Sequence, residues 1–333
     1  MRTRWFWLAF IVFIVIGILT RQHWAADLPS PASVLTALQS NASSLSQTLE
    51  ERSIESPSIS PERLLTDLRA LEFERYSPAE RAQARHYISQ TLTDAGWSVQ
   101  RQIFDGGVNL YAERPGTDPN AGAILVGAHY DSVERSPGID DNATGVAVVL
   151  EVARLLGAIP TPHPLKVALF DLEEAGLLGS KAFVNEMEHG SLDGALIMEM
   201  VGYSCDVAGC QQYPDRLPIP QPSDRGDFIA VIGDQGHAQL IAAFQPSSST
   251  FPSVFTLAIP ILGPIIPDLL RSDHVPFWQT GIGAVMVTDT ANFRNPHYHQ
   301  PTDRVDTIDP DFLNGVAQIV VDAVTRLLNA PQS

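Results

Sequence analysis

Residues 123–132 have the sequence AILVGAHYDS, an apolar run of strand length that ends in a histidine and an aspartate. Two later runs share this character: LKVALFDL at 165–172 is followed by two glutamates, and GALIMEMVGY at 194–203 contains a third. Helical patterns separate the three runs. Strands that alternate with helices predict an α/β fold with a mixed, mostly parallel central sheet and helices on both faces.

The alternation extends toward both ends of this segment. Two amphipathic helices are predicted before it, one from Pro61 and one from Pro78. The other predicted elements are strands at 98–104, 108–114, 228–234 and 283–289 and helices at 145–156, 177–187, 236–244, 273–280 and 311–328. Two proline-dense stretches, 213–222 and 246–267, predict long irregular loops at the rim of a functional site.

Composition narrows the classes of partner. The chain has 333 residues, 44% of them hydrophobic, and carries a formal net charge of −17. A surface of this sign repels nucleic-acid phosphates, so we expect no nucleic-acid partner. The two cysteines, Cys205 and Cys210, are too few for a Cys-rich zinc site, so any metal is expected on His, Asp and Glu side chains.

The N-terminus predicts export. Residues 5–20 carry no charge and follow two arginines, as in a secretory hydrophobic segment. Residues 1–24 are therefore predicted to form an uncleaved signal anchor, with a cleaved signal peptide as the alternative. A stalk is expected over 25–60, with some helix between 33 and 50, and a single catalytic domain over 61–333. Outside the cytoplasm the two cysteines either form a disulfide or remain free thiols.

Polar side chains follow the three central strands. His129 and Asp131 end the first, Glu173 and Glu174 follow the second, and Glu199 lies within the third. Ligands of open α/β sheets bind beyond the carboxyl ends of the strands, so these side chains are expected to converge. Acidic groups gathered in this way repel one another unless a cation neutralises them, which points to a divalent metal.

Two further segments offer possible ligands. GIDDNATG at 138–145 precedes a predicted helix, and a role as helix N-cap would explain Asp140. NPHYHQPTD at 295–303 holds His297, His299 and Asp303, which a solvated turn would also explain.

The order HYDS, GIDDNATG, EEAGLLGS, an acidic residue in a strand and YHQPTD resembles the co-catalytic dizinc aminopeptidases, a clan shared with glutamate carboxypeptidase and glutaminyl cyclase. The resemblance extends from about Pro61 to the C-terminus. It implies two zinc ions, a bridging role for Asp141, a cis peptide bond after Asp141 and a general-base role for Glu173. It also implies that Asp131 orients a ligand imidazole. The ligands so implied are His129, Asp141, Glu174, Glu199 and His299.

At some positions the sequence departs from the family's pattern or leaves the role of the residue open. Glu199 stands where the family more often has Asp, yet its longer side chain can still reach a metal from a strand. His274 and His297 are expected at the rim or behind the ligands, because five candidates already fill two tetrahedral sites. Tyr298 either donates to a developing oxyanion or serves packing.

The resemblance implies a zinc-dependent exopeptidase that acts on peptides. We expect a monomer that contacts the membrane only through its N-terminal segment. It would remove N-terminal residues through a water activated by two metal ions and Glu173. Carboxypeptidase or dipeptidase specificity is an alternative and would need a cationic pocket, for which Arg271, Arg294 and Arg304 are candidates. Glutaminyl cyclase-like acyl transfer with one zinc is another. A non-catalytic binding module is disfavoured because all six ligand and base positions carry competent side chains.

Overall fold

A single sheet organises the part of the chain that the computed structural model describes, which comprises residues 55–187, 190–214, 217, 221–244, 252–260 and 266–331. Within these residues the sheet has eight strands. They are β1 (Gln100–Phe104), β2 (Gly107–Arg114), β3 (Ala123–His129), β4 (Leu165–Phe170), β5 (Leu192–Glu199), β6 (Phe228–Asp234), β7 (Ser253–Ile259) and β8 (Ala284–Thr288). The predicted signal anchor over 1–24 lies outside the described residues. So does the predicted stalk as far as residue 54.

The strand order is β1-β2-β4-β3-β5-β8-β6-β7. The central strands β4, β3, β5 and β8 pair in parallel, as do β6 and β7, whereas β1/β2, β2/β4 and β6/β8 are antiparallel. The prediction of a mixed, mostly parallel sheet is confirmed. Because the four central strands run in one direction, their carboxyl ends meet at one edge of the sheet.

Helices cover both faces of the sheet. The described helices are α1 (Pro61–Ala70), α2 (Pro78–Asp94), α3 (Gly145–Leu156), α4 (Leu178–Glu186), α5 (Ala238–Ala242), α6 (His274–Gln279) and α7 (Pro310–Leu328). Apolar residues of α1, α2, α3, α5 and α7 form one core with the sheet, and those of α4 and α6 form a second on the opposite face. Strand β3 alternates between them, since Val126 belongs to the first core and Leu125 to the second.

Local sequence accounts for several helix starts. The Ser77 hydroxyl accepts the Glu80 backbone N–H, and the Glu80 carboxylate accepts the Ser77 backbone N–H, which is a capping box at the start of α2. Asp309 caps α7 in a similar way by accepting two backbone N–H groups. No helix within the described residues is long and apolar enough to cross a bilayer.

One predicted loop is wrong. Strand β7 lies inside the proline-dense stretch 246–267, where the sequence suggested irregular structure. The prolines Pro252 and Pro260 flank the strand and leave its interior free of them. Proline is tolerated beside an edge strand, and β7 is the edge of the sheet, so the proline density marked strand ends.

Candidate active site

Strand β3 delivers His129 to the carboxyl edge of the sheet. The imidazole is almost fully buried, and its Nε2 atom lies 3.4 Å from Asp141 Oδ1 and 3.6 Å from Glu199 Oε2. Glu199 is the last residue of β5, the strand beside β3. The pairing of these two parallel strands therefore brings a histidine and a glutamate that are far apart in sequence to one place.

Asp141 lies in the turn Ile139–Thr144, immediately before α3. The peptide bond between Asp141 and Asn142 is cis, as the resemblance implied. The Asp303 carboxylate fixes this turn, because its two oxygens accept the backbone N–H groups of Asp140 at 2.8 Å and Asp141 at 3.1 Å. Asn142 makes a third hydrogen bond that holds the turn, because its side-chain NH2 group donates to the Met198 carbonyl at 2.8 Å.

His299 approaches Asp141 from the other side. Its Nε2 atom lies 3.1 Å from Asp141 Oδ2 and 3.2 Å from Glu174 Oε2. Each oxygen of Asp141 therefore faces a different histidine. The structure brings together all five residues that the sequence nominated as ligands.

Two groups of these side chains have the spacing of a metal site. The first is His129, Asp141 and Glu199, the second is Asp141, Glu174 and His299, and in each group the donor atoms lie within 4.8 Å of one another. Within the described residues, three buried atoms of these groups lack a hydrogen-bond partner: His129 Nε2, His299 Nε2 and Glu174 Oε1. Imidazole and carboxylate donors are those that zinc accepts, so the residues fit two adjacent zinc ions that share Asp141.

The charges of the site favour the binding of cations. Burial works against charge on both imidazoles, yet the neighbouring carboxylates raise the pKa of His129 well above its usual value and that of His299 to about 10. Burial, followed by repulsion from Asp141, raises the pKa of Glu174 to about 7. Burial alone would raise the pKa of Asp141, but the adjacent imidazoles of His129 and His299 lower it. Positive charge is thus favoured between the carboxylates, where metal ions would lie.

Asp131 and Glu173 lie beside the ligands. The Asp131 carboxylate accepts the backbone N–H groups of Glu173 at 3.1 Å and Glu174 at 3.2 Å, and its Oδ1 atom is 3.5 Å from His129 Nδ1. Glu173 itself lines a cavity and is 8% exposed. Burial, with added repulsion from Glu199 and Asp273, raises its pKa well above the usual value for glutamate. A carboxylate in this environment is a good proton acceptor.

Several residues near the site were not assigned a role from the sequence. Asp303 was noted in its motif, but nothing in the sequence tied it to the turn that holds Asp141. Ser272 donates its hydroxyl to Glu199 Oε2 at 2.6 Å, and the adjacent Asp273 is fully buried beside Ser180. Ser and Asp are also common turn residues, so the stretch RSDH gave no distinct signal.

His274 and His297 belong to neither of the two candidate metal-binding groups. His274 lies in the core, where its Nε2 atom donates to the Leu269 carbonyl at 2.9 Å and its ring packs edge-on against Trp278. The expectation that it lies at the rim or behind the ligands is wrong, because its ring is fully buried and, within the described residues, makes no hydrogen bond to a candidate ligand. His297 lies 2.9 Å from the Thr302 hydroxyl.

A cavity of about 500 Å³ opens onto the candidate ligands. Asp141, Glu173, Glu174, Glu199 and His299 form its acidic end. Its apolar walls come from strands β6, β7 and β8, namely Phe228, Ala230, Ile232, Phe255, Leu257 and Met286. A ligand in this cavity would place a polar group at the candidate metal ligands and an apolar group over the sheet.

The three candidate arginines have different surroundings. Arg271 lines the cavity. Arg294 is buried and donates to the Gln211 side chain and to two backbone carbonyls. Arg304 is about half exposed and pairs with Glu72 at 3.4 Å. Of these three, Arg271 is the one available to a molecule in the cavity.

Tyr298 also lines the cavity. Its ring stacks on His299, with centroids 3.8 Å apart. Burial, followed by the nearby charge of Asp141, raises its pKa above the usual value, so the phenol keeps its proton. Of the two alternatives for the cysteines, the structure has the disulfide, which joins Cys205 to Cys210.

Comparisons with known proteins match the chain to one family of peptidases. The family model "Peptidase family M28" matches residues 109–324. The chain is 34% identical over 264 residues to the uncharacterized protein YfbL of Escherichia coli K12, a match that covers 73% of this chain and 79% of that protein. It is 29% identical to aminopeptidase YwaD of Bacillus subtilis, covering 60% of this chain but 40% of that longer protein.

A solved structure shares the fold. The aminopeptidase from Aneurinibacillus sp. strain AM-1 superposes with a TM-score of 0.64 at 19% identity, covering 82% of this chain and 95% of that one. At this level of identity, the likeness supports the sheet order and the helix layers.

Proposed function

Because the chain belongs to peptidase family M28 and is a metallo-aminopeptidase, we propose that it removes N-terminal residues from peptides at a centre of two zinc ions, with Glu173 as general base. One observation carries the two-ion centre. The Asp141 carboxylate lies between His129 Nε2, at 3.4 Å from Oδ1, and His299 Nε2, at 3.1 Å from Oδ2. A carboxylate that presents one oxygen to each of two donor groups suits a bridging ligand.

The chain supplies a matched set of ligands for each ion. His129 and Glu199 would complete the first site with Asp141, and His299 and Glu174 would complete the second. Three protein ligands per ion leave positions open, as a catalytic zinc site requires. Zinc bound there supplies a Lewis acid that lowers the pKa of a water molecule and polarises the scissile carbonyl.

Glu173 moves the proton in this proposal. Its carboxylate takes a proton from the attacking water as the water oxygen bonds to the carbonyl carbon. It then delivers that proton to the nitrogen of the departing amine as the C–N bond breaks. The raised pKa that burial gives Glu173 suits both steps, because the group must accept and then release the same proton. Asp131 holds Glu173 in place through the Glu173 backbone N–H.

The charge of the cavity favours recognition of a free α-amine. Glu173, the carboxylate of its acidic end that is not a metal ligand, attracts an ammonium group. A carboxypeptidase would need free cations there, but Arg271 is already hydrogen-bonded to Asn292 and Tyr298. Lys181, also in the lining, donates to the Gly176 carbonyl. The balance of charge therefore supports aminopeptidase over carboxypeptidase specificity.

The apolar wall of the cavity indicates the preferred side chain. Phe228, Ile232, Leu257 and Met286 offer a surface for a leucine- or phenylalanine-sized group adjacent to the acidic end. Burial of such a side chain contributes about 1.5–3 kcal/mol to binding. We propose a preference for large apolar N-terminal residues.

Metal analysis together with a substrate panel tests the proposal. The purified full-length protein is expected to hold two zinc ions per chain and to cleave leucine 4-nitroanilide, but not its N-acetylated counterpart. One zinc per chain with cyclisation of N-terminal glutamine would instead establish the glutaminyl cyclase alternative. Release of C-terminal residues from N-blocked peptides would establish carboxypeptidase specificity.

We further propose that the catalytic domain acts outside the cytoplasm. The uncharged segment 5–20 and its preceding arginines have the character of an export signal. The Cys205–Cys210 disulfide also suits an oxidising compartment. Accessibility of the domain to protease added to intact cells tests the location.

A further inference from the structure

A buried amide binds one wall of the cavity. Gln211 is 4% exposed, and its side-chain NH2 group donates to Thr290 Oγ1 at 2.9 Å and to the Gln212 carbonyl at 2.6 Å. Its Oε1 atom accepts from Arg294 Nε at 2.8 Å. Both N–H protons of the amide and its oxygen therefore have partners. Because Thr290 lines the cavity, this amide is bonded directly to the cavity wall.

The wall segment that Gln211 contacts has a strained backbone. Thr290 and Ala291 have φ angles of 86° and 49°, in the left-handed region that residues other than glycine rarely adopt. Both line the cavity, as do Asn292 and Phe293. Such a conformation persists only where surrounding contacts hold it. The backbone N–H groups of Thr290 and Ala291 donate to side chains two residues earlier, and Gln211 adds a contact from 79 positions away.

Arg294 connects Gln211 to a second part of the wall. Its Nη2 atom donates to the Phe228 carbonyl at 2.8 Å, and its guanidinium carbon lies 4.7 Å from the centroid of the Phe228 ring. Phe228 begins β6 and belongs to the apolar wall of the cavity. Because a guanidinium group is planar, the hydrogen bond from Nε to Gln211 also orients Nη2 toward Phe228. Tyr213, which lines a third part of the wall, follows Gln211 by two residues.

We propose that Gln211 is a positioning residue that sets the shape of the apolar part of the cavity, and with it the discrimination between large and small N-terminal side chains. It acts through Thr290, whose segment it holds in the left-handed conformation, and through Arg294, which holds Phe228. Its loss changes the fit of a large side chain and leaves the candidate metal ligands in place. This role rests on the proposed aminopeptidase function and on its preference for large apolar residues.

Steady-state kinetics of the zinc-loaded, full-length protein test the proposal with phenylalanine and alanine 4-nitroanilides. Gln211→Met preserves the length of the side chain but removes its hydrogen bonds. We expect KM for the phenylalanine substrate to rise about tenfold, as for the loss of one hydrogen bond, because the wall segment relaxes into the cavity. The kcat for both substrates and the KM for the alanine substrate should change little.

A second variant acts on the same hydrogen bond from its other side. Gln211→Met leaves the buried Arg294 Nε without this acceptor, which is expected to lower stability, so thermal unfolding is measured in parallel. Thr290→Val removes the accepting hydroxyl but keeps the branched shape, and it should raise KM for the phenylalanine substrate as well. If Gln211 acts through Thr290, the double variant matches Gln211→Met within about twofold. Gln212→Met, at the exposed neighbouring position, is the control and should retain wild-type kinetics.

Hydrogen exchange of the substrate-free protein provides a measurement that does not depend on activity. Peptides that cover residues 290–294 should exchange faster in Gln211→Met than in the wild type, because the segment loses a contact that holds it closed. Zinc content should be the same in both proteins. Unchanged exchange in this segment would overturn the inference.

The outcomes also separate this inference from the function on which it rests. Equal losses with the phenylalanine and alanine substrates would reveal a general defect and overturn the inference, as would a fall in kcat with KM unchanged. Multiplication of the two single effects in the double variant would overturn it too. If the wild-type protein hydrolyses no aminoacyl anilide, the proposed function is wrong, whereas hydrogen exchange still decides whether Gln211 holds the wall.

Discussion

The Asp131 carboxylate binds the backbone N–H of Glu173 at 3.1 Å and approaches the Nδ1 atom of His129 to 3.5 Å, so one side chain connects the proposed base to a proposed metal ligand. Asp131 follows β3, and Glu173 follows β4, its parallel neighbour. A carboxylate with two acceptor oxygens can fix both strand ends at once. The relative placement of base and metal ligand therefore depends on Asp131 as well as on the sheet.

Removal of this connection is expected to weaken metal binding. In Asp131→Asn an NH2 group replaces one of the two acceptor oxygens. This NH2 group would face a backbone N–H or the imidazole, and it cannot accept a hydrogen bond from either. Zinc affinity should fall by about 10- to 100-fold, measured by competition with a chromogenic chelator. The exposed Asp105→Asn variant is the matched control, and equal affinities in the two variants would contradict the role of Asp131.

Replacement of the proposed base is expected to separate catalysis from metal binding. Glu173→Gln should retain the zinc content of the wild type but lower kcat by about 10²- to 10⁴-fold, because the amide cannot accept the proton of water. Zinc is measured by mass spectrometry and turnover with leucine 4-nitroanilide. Glu186→Gln, at an exposed position, controls for the change of charge. Full activity in Glu173→Gln would exclude Glu173 as base.

Two neighbouring histidines offer a matched pair for counting metals. His299→Gln removes a ligand from one candidate site and is expected to reduce the zinc content from about two ions to about one per chain. His297→Gln, two residues earlier, loses the contact with Thr302 and should retain both ions. Thermal unfolding should show the same contrast, because bound metal stabilises the folded state. An equal loss of zinc in both variants would argue against the assigned ligand set.

The apolar part of the cavity is expected to control side-chain preference. Ala230→Leu places added methyl groups among Phe228, Ile232 and Met286, where they occupy space needed by a large substrate side chain. We expect kcat/KM for phenylalanine 4-nitroanilide to fall by about 10- to 200-fold. The value for alanine 4-nitroanilide should change little. Ala79→Leu, on the exposed face of α2, is the control, and an equal loss with both substrates would place the apolar subsite elsewhere.

The buried His274 predicts a specific dependence of stability on pH. Burial lowers its pKa from 6.5 to about 4, so the unfolded chain binds a proton between these values that the folded chain excludes. The free energy of unfolding attributable to His274 therefore falls as pH decreases from about 6.5 to 4, by up to about 1.4 kcal/mol per pH unit.

Denaturant unfolding from pH 4.5 to 7.5 measures this contribution. His274→Phe cannot titrate, so its free energy of unfolding should decrease less steeply toward low pH than that of the wild type. His86→Phe, at an exposed position of α2, should keep the wild-type slope. Parallel curves for wild type and His274→Phe would show that His274 is not a source of the dependence.

Much of this protein was accessible from local sequence. The apolar runs at β3, β4 and β5, the capping serine of α2 and the order of the motifs are short-range features, because strand and helix periodicity is set within a few residues. Polar side chains that follow parallel strands must emerge at one edge, which nominated His129, Glu173, Glu174 and Glu199. The order of the motifs, through the family resemblance, supplied Asp141 and His299. Strand β7 escaped because its flanking prolines resemble those of a loop.

The sequence by itself determined the residue types that stand at the ends of the strands and helices. The tertiary structure decided which of them meet: Asp303 fixes the turn of Asp141 from 162 positions away, Arg271 reaches Tyr298, and His274 turns into the core. These relationships join distant segments of the chain, and no local pattern encodes them. They arise only when the helices pack on the sheet, because packing alone sets the distances over which hydrogen bonds and charges act.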